Sequence, residues 1–358
     1  MRESLIDVEL FVLTATGLML TGLGVWETFM AVLHPRAIVG PITTRINRCF
    51  HFVVRTKVFR RSGLTVFSGP LLLVAHATCW ATLLLFGVAL IVWPQLGSGI
   101  IESGSETTDD SLLTAIYYSG FSITTLGVGD FVPRSGWTKL VTITSASLGF
   151  SFFTLVLAYV LSIYSALARR NQFACEIDYR TQRTGDTLAY LQPHILADEW
   201  TLLNQDLYSL ASNLAELLES HHFYPALHYF RFSERRYAMS QMLRFCLEVA
   251  TVLRVMQNTH DSTTSINREP VDRLWHASLQ MLGDTEKHFV VCKSHDTPDE
   301  KQLANQLILM VHQATASRWI DDEADFVDRY VPMSEAWSTD LHSLELCMAS
   351  HRATHRGG

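Results

Sequence analysis

The sequence has too little positive charge for a nucleic-acid-binding protein. Its 358 residues include 28 Lys and Arg against 35 Asp and Glu, which gives a formal net charge of -7. Binding to a phosphate backbone needs a basic surface that neutralises phosphates. We therefore expect no nucleic-acid partner.

Cysteine is sparse, and its spacing is not that of a metal or disulfide site. The six cysteines are spread along the chain, and no two of them form a C-x-x-C pair. Zinc sites and redox motifs usually contain such close pairs. We expect free, reduced thiols and no resident cofactor.

The C-terminal region has almost no glycine. Between residues 170 and 355 only Gly185 and Gly283 occur. A dinucleotide-type ligand domain needs G-x-G-x-x-G after a strand, so the sequence excludes this domain. The region also contains no P-loop and no paired catalytic carboxylates in a supporting context, so we do not expect an enzyme.

Three stretches lack charge almost completely. They cover residues 10–33, 64–93 and 140–167, and the one Asp, Glu, Lys or Arg in them is Glu27. A hydrocarbon core of about 30 Å is crossed by about 20 apolar residues in a helix. The sequence therefore predicts three transmembrane helices in a multi-pass protein of the cell membrane.

The charges of the connecting segments predict an orientation. Residues 34–63 contain seven Lys or Arg and no acid, whereas residues 94–110 contain four acids and no Lys or Arg. Basic loops stay on the cytoplasmic side of a membrane. We expect the N-terminus outside and the C-terminal region in the cytoplasm.

The basic segment at residues 37–63 has two interpretations. Its arginines do not recur at every third residue, so a voltage sensor is disfavoured. An amphipathic helix could lie at the interface on anionic lipid, or the charges could only set the topology. The sequence leaves both open.

A segment too short to cross the bilayer lies between the second and third spans, at residues 111–124. Asp109, Asp110 and Ser111 precede it and are typical N-cap and first-turn residues. We predict a half-helix that enters the membrane from outside and stops. Its C-terminal end carries a partial negative charge, which favours a cation near the membrane centre.

The half-helix runs into the peptide "ITTLGVGDFVP", residues 123–133. Non-helical backbone at membrane depth is tolerated where protein or water surrounds it. A row of backbone carbonyls can replace the hydration shell of a cation. Gly127 and Gly129 supply the conformations that L-residues resist, and Thr125 can add a hydroxyl oxygen.

The stretch "TTLGVGD" resembles the selectivity filter of potassium channels, whose usual form is TTVGYGD. The resemblance covers about residues 64–170 and implies a homotetramer around a central potassium pathway. It implies that potassium ions bind at the first four residues of the filter, which consists of Thr125, Leu126, Gly127, Val128 and Gly129.

The same resemblance implies supporting roles for residues around the filter. Thr124 and Asp130 flank it, and Tyr117 and Tyr118 occupy the place of the paired aromatics that brace it. Gly149 stands at the position of the inner-helix hinge, although a glycine there can equally allow close helix packing.

Val128 departs from the family pattern, in which tyrosine is usual. The coordinating group is a carbonyl, which any residue supplies, but the tyrosine ring packs behind the filter. Two alternatives to a potassium channel are therefore kept: a weakly selective cation channel, and a membrane-anchored signalling protein with a non-conducting pore.

Some polar residues lie outside the filter. Glu27 could extend to the interface, pair with a loop arginine, or act in gating. For His76 we expect a hydrogen bond between helices rather than a pH sensor. His221, His222 and His228 are expected to be solvated or core residues rather than metal ligands.

The remaining sequence is helical in pattern. Residues 171–358 carry apolar residues at spacings of three and four, without strand alternation. We predict an all-α membrane protein with three transmembrane helices, a re-entrant pore helix and a filter, followed by an all-α cytoplasmic domain. The expected divisions are 1–36 for the first span, 37–63 for the basic segment, 64–170 for the pore module and 171–358 for the cytoplasmic domain.

Overall fold

The computed structural model describes residues 2–33, 40–56, 64–104, 107–197, 199–232, 234–259, 266–289, 308 and 323–348. These residues form two compact units. The first contains the described residues of Met1–Thr56, Ser68–Tyr164 and Phe223–Ala226. The second contains those of Lys57–Phe67, Ser165–His222 and Leu227–Gly358.

In the part of the chain that the structure describes, three helices are long and apolar enough to cross a membrane, which confirms the predicted all-α membrane protein. They are α1 (Arg2–Val32), α3 (Ser68–Val92) and α5 (Gly136–Arg180). The helix α5 continues well beyond the predicted apolar run, because the polar residues after residue 167 remain helical. The shorter helix α2 (Pro41–Arg55) lies in the basic segment, with Arg45 and Arg48 exposed.

The first two long helices pack through glycine. A Cβ atom added to Gly17 of α1 would lie 2.6 Å from the carbonyl oxygen of Gly87 on α3. A Cβ atom at Gly87 would in turn collide with the hydroxyl of Thr21. Small residues let helix backbones approach closely where no water drives them together. These glycines therefore fix α1 against α3.

Glu27 caps the helix α2, a role that the sequence did not suggest. Its carboxylate is fully buried and accepts hydrogen bonds from the backbone N–H groups of Ile42 (2.7 Å) and Thr43 (3.1 Å) and from the Thr43 hydroxyl (2.7 Å). The first turn of a helix has unsatisfied N–H donors and a partial positive charge. Glu27 therefore acts as a buried cap of α2 and does not extend to the interface.

His76 is hydrogen-bonded between helices, as predicted. Its Nε2 lies 2.8 Å from Oδ1 of Asn47 on α2. Its ring stacks on Trp80, whose indole N–H donates to the Thr43 hydroxyl at 3.2 Å. Polar contacts thus join α2 to α3, where an unpartnered group would be costly.

Between α3 and α5 the chain forms one short helix and two short strands. The helix α4 (Leu112–Ile123) lies within the segment predicted as a half-helix. The strands β1 (Ile100–Glu102) and β2 (Phe131–Pro133) pair in an antiparallel ladder that pairs Ile101 with Val132. The sequence analysis did not predict these strands, which are too short to show alternation.

The second unit is helical in its described part, in line with the predicted all-α region. After the end of α5 it contains α6 (Thr187–Ala197), α7 (Trp200–Phe223), α8 (Met239–Thr259), α9 (Arg268–Phe289) and α10 (Glu323–Met348). Residues 290–307 and 309–322 of the predicted domain lie outside the described residues.

The core of the second unit is centred on α8. Leu243, Leu247 and Leu253 are fully buried there, and the indole of Trp337 on α10 donates to the Thr251 hydroxyl at 3.1 Å. Such a core is stabilised by the removal of apolar surface from water. These side chains therefore form the apolar core of the second unit.

The cysteines that the structure describes are free thiols, as predicted. They are Cys49, Cys79, Cys175 and Cys246. Burial raises the pKa of the Cys246 thiol to about 12, so this side chain stays protonated at neutral pH. Cys292 lies outside the described residues, and nothing is described of the Cys347 side chain.

Candidate functional site

The candidate site begins at the N-terminus of α4, where two residues satisfy its first turn. The Ser111 hydroxyl accepts a hydrogen bond from the Thr114 N–H at 3.2 Å. The Asp109 carboxylate accepts hydrogen bonds from the Thr114 hydroxyl, the Ser111 hydroxyl and the Ser111 N–H. These bonds lower the pKa of Asp109. A carboxylate at this end of a helix is stabilised by the helix dipole. The sequence signal for this helix start is confirmed.

The helix α4 ends in a tight turn that opens into the peptide 124–130. Thr124 N–H donates to the Gly120 carbonyl at 3.0 Å, Thr125 N–H to Ser122 at 3.2 Å, and Leu126 N–H to Phe121 at 2.9 Å. These bonds use carbonyls that the end of a helix otherwise leaves without partners. The turn therefore fixes the direction in which the backbone of the following peptide leaves α4.

The peptide alternates in the sign of its backbone φ angle. Thr125, Gly127 and Gly129 have φ angles of 55°, 62° and 85°, whereas Leu126 and Val128 between them are not in the positive region. An alternation of left- and right-handed residues turns successive peptide planes the same way. This is the backbone pattern that lets successive carbonyl oxygens line one side of a chain, as a cation pathway requires.

Thr125 adopts this conformation although its side chain is β-branched. Such a residue at positive φ is a genuine outlier, which costs on the order of 1–3 kcal/mol and persists where its surroundings impose it. Its hydroxyl donates to the Thr124 carbonyl at 2.7 Å. The lone pairs of the hydroxyl oxygen are therefore available to a cation.

The whole peptide is exposed in the single chain. Every residue from 124 to 129 is exposed, with Leu126 at 70% and Val128 at 50% of full exposure. Nothing lies within 4 Å of a Cβ atom placed on Gly127. The chain fixes this peptide at its two ends and leaves residues 124–129 exposed between them.

Asp130 fixes the far end of the peptide. Its carboxylate accepts from the Tyr117 hydroxyl at 2.8 Å and from the Phe131 N–H at 3.1 Å. Its carbonyl accepts from the Ser103 N–H at 2.6 Å. Since Phe131 begins β2, the ladder between β1 and β2 continues this support. Asp130 and Tyr117 are thus brought together at the end of the exposed peptide.

Tyr118 faces another way. Its side chain is buried, and its hydroxyl lies 2.6 Å from the Thr142 hydroxyl on α5. Its ring meets Phe121 edge-to-face at 4.9 Å. Adjacent helical residues point in different directions, so within the chain Tyr117 reaches Asp130 while Tyr118 reaches α5. Tyr118 therefore joins α4 to α5.

Gly149 marks the closest approach of α5 to the end of α4. A Cβ atom at this position would overlap the carbonyl oxygen of Ile123 and lie 2.8 Å from its Cγ2 atom. The helix α5 is uninterrupted through this residue. The contact accounts for the glycine by close packing, and a hinge at Gly149 stays a prediction.

The described residues outside this site offer no metal centre. No group of three or more His, Cys, Asp or Glu is placed to hold a metal ion in the part of the chain that the structure describes. His221 is buried and contacts the Leu217 carbonyl at 2.9 Å, and His222 contacts Asp284 at 2.8 Å. These histidines serve the packing and surface of the second unit.

Comparison with known proteins finds a match over the segment that contains this site. Residues 78–166, which contain most of α3, all of α4, the exposed peptide and part of α5, match the family model described as an ion channel. An uncharacterized membrane protein of Bacillus subtilis (strain 168), YdjJ, is 26% identical over 227 residues.

The similarity to YdjJ covers 62% of this chain and 63% of that relative, which is less than two thirds of its length. No solved structure is significantly similar to the chain. The match at residues 78–166 and the three apolar helices support an ion channel of the membrane as the broad function of the chain.

Proposed function

We propose that the chain is one subunit of a homotetrameric channel that conducts potassium passively across the cell membrane. The observation that carries the proposal is the alternation of positive and non-positive φ angles along residues 125–129, with Thr125 held at a positive φ. Backbone carbonyls arranged in this way replace the water around a potassium ion. Thr125, Leu126, Gly127, Val128 and Gly129 are the proposed filter, supported by Thr124, Asp130, Tyr117 and, through α5, Tyr118.

The exposure of the filter supports assembly from several copies. A dehydrated cation needs oxygen ligands on opposite sides, and one peptide supplies only one side. Residues 124–129 are exposed in the single chain, so their open side is free to face an axis. Four copies around that axis form a closed ring, the usual symmetry of soluble and membrane homo-oligomers with a central path.

Electrostatics around the filter favours a cation. The C-terminal end of α4 carries a partial negative charge and lies directly before Thr125. The acids Glu102, Asp109 and Asp110 precede the helix and, repeated around an axis, raise the cation concentration at the mouth. We place this mouth and the N-terminus outside the cell, and the second unit in the cytoplasm, from the loop charges.

Gating is assigned to α5 together with the second unit. Gly149 on α5 is the proposed hinge. It packs against the Ile123 carbonyl just before the proposed filter, so a movement of α5 at this point would act directly on the start of the filter. The helix α2 is proposed to lie on anionic lipid, since Arg45 and Arg48 are exposed on it.

A weakly selective cation channel is the second candidate. Val128 stands where the resembled family has tyrosine, and its side chain is half exposed rather than packed within the chain. A smaller side chain gives less support to the width of the filter. Bi-ionic reversal potentials in potassium and sodium separate the candidates, because a selective pore shifts the potential strongly and a weakly selective one does not.

Flux through reconstituted vesicles tests the proposal. The purified chain should release potassium down its gradient, and Gly127→Ala should abolish the flux, because alanine at a φ of 62° is strained. Gly136→Ala is the matched control, since Gly136 has open space around it and no positive φ. A wild-type chain that is monomeric and passes no ion would instead favour a signalling protein with a non-conducting pore.

A further inference from the structure

The second unit contains a cavity that the proposed pore does not use. It has a volume of about 330 Å³ and lies between the end of α5, the loop before α6, the turn Arg235–Tyr237 and α8. This volume is within the range of small-molecule sites. Four arginines line it, and they are Arg183, Arg235, Arg236 and Arg244.

The carboxylates that line the cavity are already engaged. Asp178 lies 3.3 Å from Arg236, and Asp186 accepts the Leu188 N–H at 2.9 Å. Glu248 accepts the hydroxyl of Thr187 at 2.7 Å. Each acid therefore has a local partner, and among the described residues none of the three forms an ion pair with Arg183 or Arg235.

Arg244 is also neutralised within the unit. Its guanidinium binds both oxygens of Glu345, at 3.1 Å and 3.0 Å, and lies 3.6 Å from Glu248. A bidentate pair of this kind is a strong and oriented interaction. Arg236 and Arg244 are therefore part of the wall.

Arg183 and Arg235 have no carboxylate partner among the residues that the structure describes. The Nε of Arg235 donates to the neutral Gln241 amide oxygen at 2.9 Å, which orients the guanidinium and leaves both terminal nitrogens available. Both arginines are exposed. The mouth of the cavity thus carries two guanidinium groups that take part in no ion pair among the described residues, and the hydrogen bond to Gln241 orients one of them.

The backbone at Arg183 is unusual for an arginine. Gln182 and Arg183 have φ angles of 53° and 67°, and the Arg183 N–H is held by the Asp178 carbonyl at 2.6 Å. Residues in this region cost energy and cluster at binding sites. This bond closes the end of α5 in the way that left-handed residues commonly do after a helix, and it fixes the point from which the Arg183 side chain starts.

The inner part of the cavity is apolar. Ile177, Met242 and Phe245 line it and are almost fully buried. A bound molecule would therefore place an anionic group at the mouth and an apolar part inside. Sites with a mostly apolar lining and a few convergent charged groups are typical for small organic ligands.

We propose that this cavity binds a small soluble organic anion that carries a phosphate group, with Arg183 and Arg235 in contact with the phosphate. Planar guanidinium groups match phosphate oxygens in bidentate geometry. The lipid headgroup is the other source of phosphate. However, Asp178 follows the end of the apolar run at residue 167 by 11 positions along α5, which is about 16 Å of helix. A soluble ligand therefore fits the position better.

Direct binding tests this site without reference to conduction, so its failure and the failure of the channel proposal are separate results. The full chain in phosphatidylcholine nanodiscs is titrated by calorimetry with pyrophosphate, adenosine monophosphate, adenosine diphosphate and glucose 6-phosphate, with adenosine as the uncharged control. We expect saturable binding of at least one phosphorylated probe at one site per chain, and none of adenosine.

Two variants locate the binding. Arg183→Gln and Arg235→Gln should each weaken it about tenfold, which corresponds to one charge-assisted hydrogen bond. Arg273→Gln, an exposed arginine of α9 that pairs with Glu269 outside the cavity, should bind as the wild type does. Both test residues are exposed, so the fold should persist, and circular dichroism checks it.

Three results would overturn the proposal. The first is that no phosphorylated probe binds saturably. The second is that both cavity variants bind as tightly as Arg273→Gln. The third is that probe binding is lost when phosphatidylglycerol replaces phosphatidylcholine in the nanodiscs, which would assign the cavity to a lipid headgroup.

Discussion

Among the residues that the structure describes, the first unit of this chain leaves many more large apolar side chains exposed than the second unit does. In the first unit, large apolar residues such as Phe11, Phe150 and Phe153 are exposed, while Glu27 and His76 are buried. In the second unit the leucines of α8 are buried. This difference is what we expect when the exposed surface of one unit faces lipid and that of the other faces water, because burial follows from what each surface faces.

The largest expected effect concerns the interior of the second unit. Leu247→Ala should lower the free energy of unfolding by about 2–5 kcal/mol, because it removes buried methyl groups and leaves a cavity. Leu157→Ala on α5, where the side chain is 49% exposed, should change it by less than about 0.5 kcal/mol. Unfolding in detergent followed by tryptophan fluorescence measures both. Equal losses would contradict the assignment of the cores.

A second test uses two residues of equal exposure. Phe153 on α5 is 68% exposed and Tyr179, near the end of the same helix, is 67% exposed. Phe153→Lys should impair membrane integration, since a lysine in a span costs about 2.5–3.5 kcal/mol. Tyr179→Lys should have no effect, because its surface faces water. The yield of membrane-integrated protein measures the difference, and similar yields would remove the contrast between the two surfaces.

The smallest expected effect concerns the support of the candidate filter. Tyr117→Phe removes the hydroxyl that donates to Asp130 and should loosen residues 124–131 by about 1 kcal/mol. Hydrogen exchange of this peptide should then be about fivefold faster. Tyr179→Phe, which removes a tyrosine hydroxyl from the second unit, is the control and should leave that peptide unchanged. Unaltered exchange in Tyr117→Phe would mean that β1 and β2 alone hold the peptide.

Features set by local sequence could be predicted. The three spans follow from the absence of charge, and the start of α4 follows from Asp109 and Ser111. Gly127 and Gly129 indicated where the backbone would take unusual angles, and the structure has positive φ at both. These signals lie within a few residues of the structure that they cause, so no knowledge of distant contacts is needed.

Features set by distant contacts could not be predicted. Glu27 caps a helix that begins 14 residues later, and a capping box is recognised only at short spacing. The positive φ of Thr125 contradicts its own preference and is imposed by the turn after α4. Gly149 has no room for a side chain because Ile123 on another helix lies against it. Each of these needs the packed structure.

The glycine contact between α1 and α3 bears on how the chain could be shortened. A fragment that began at residue 57 would keep α3, but it would uncover a narrow furrow at Gly87 that was shaped by Thr21 and Gly17. Lipid tails are too mobile to fill such a furrow as closely as a second backbone does. The N-terminal helix is thus a wall of the first unit, and cutting it away would leave α3 without its fitted neighbour.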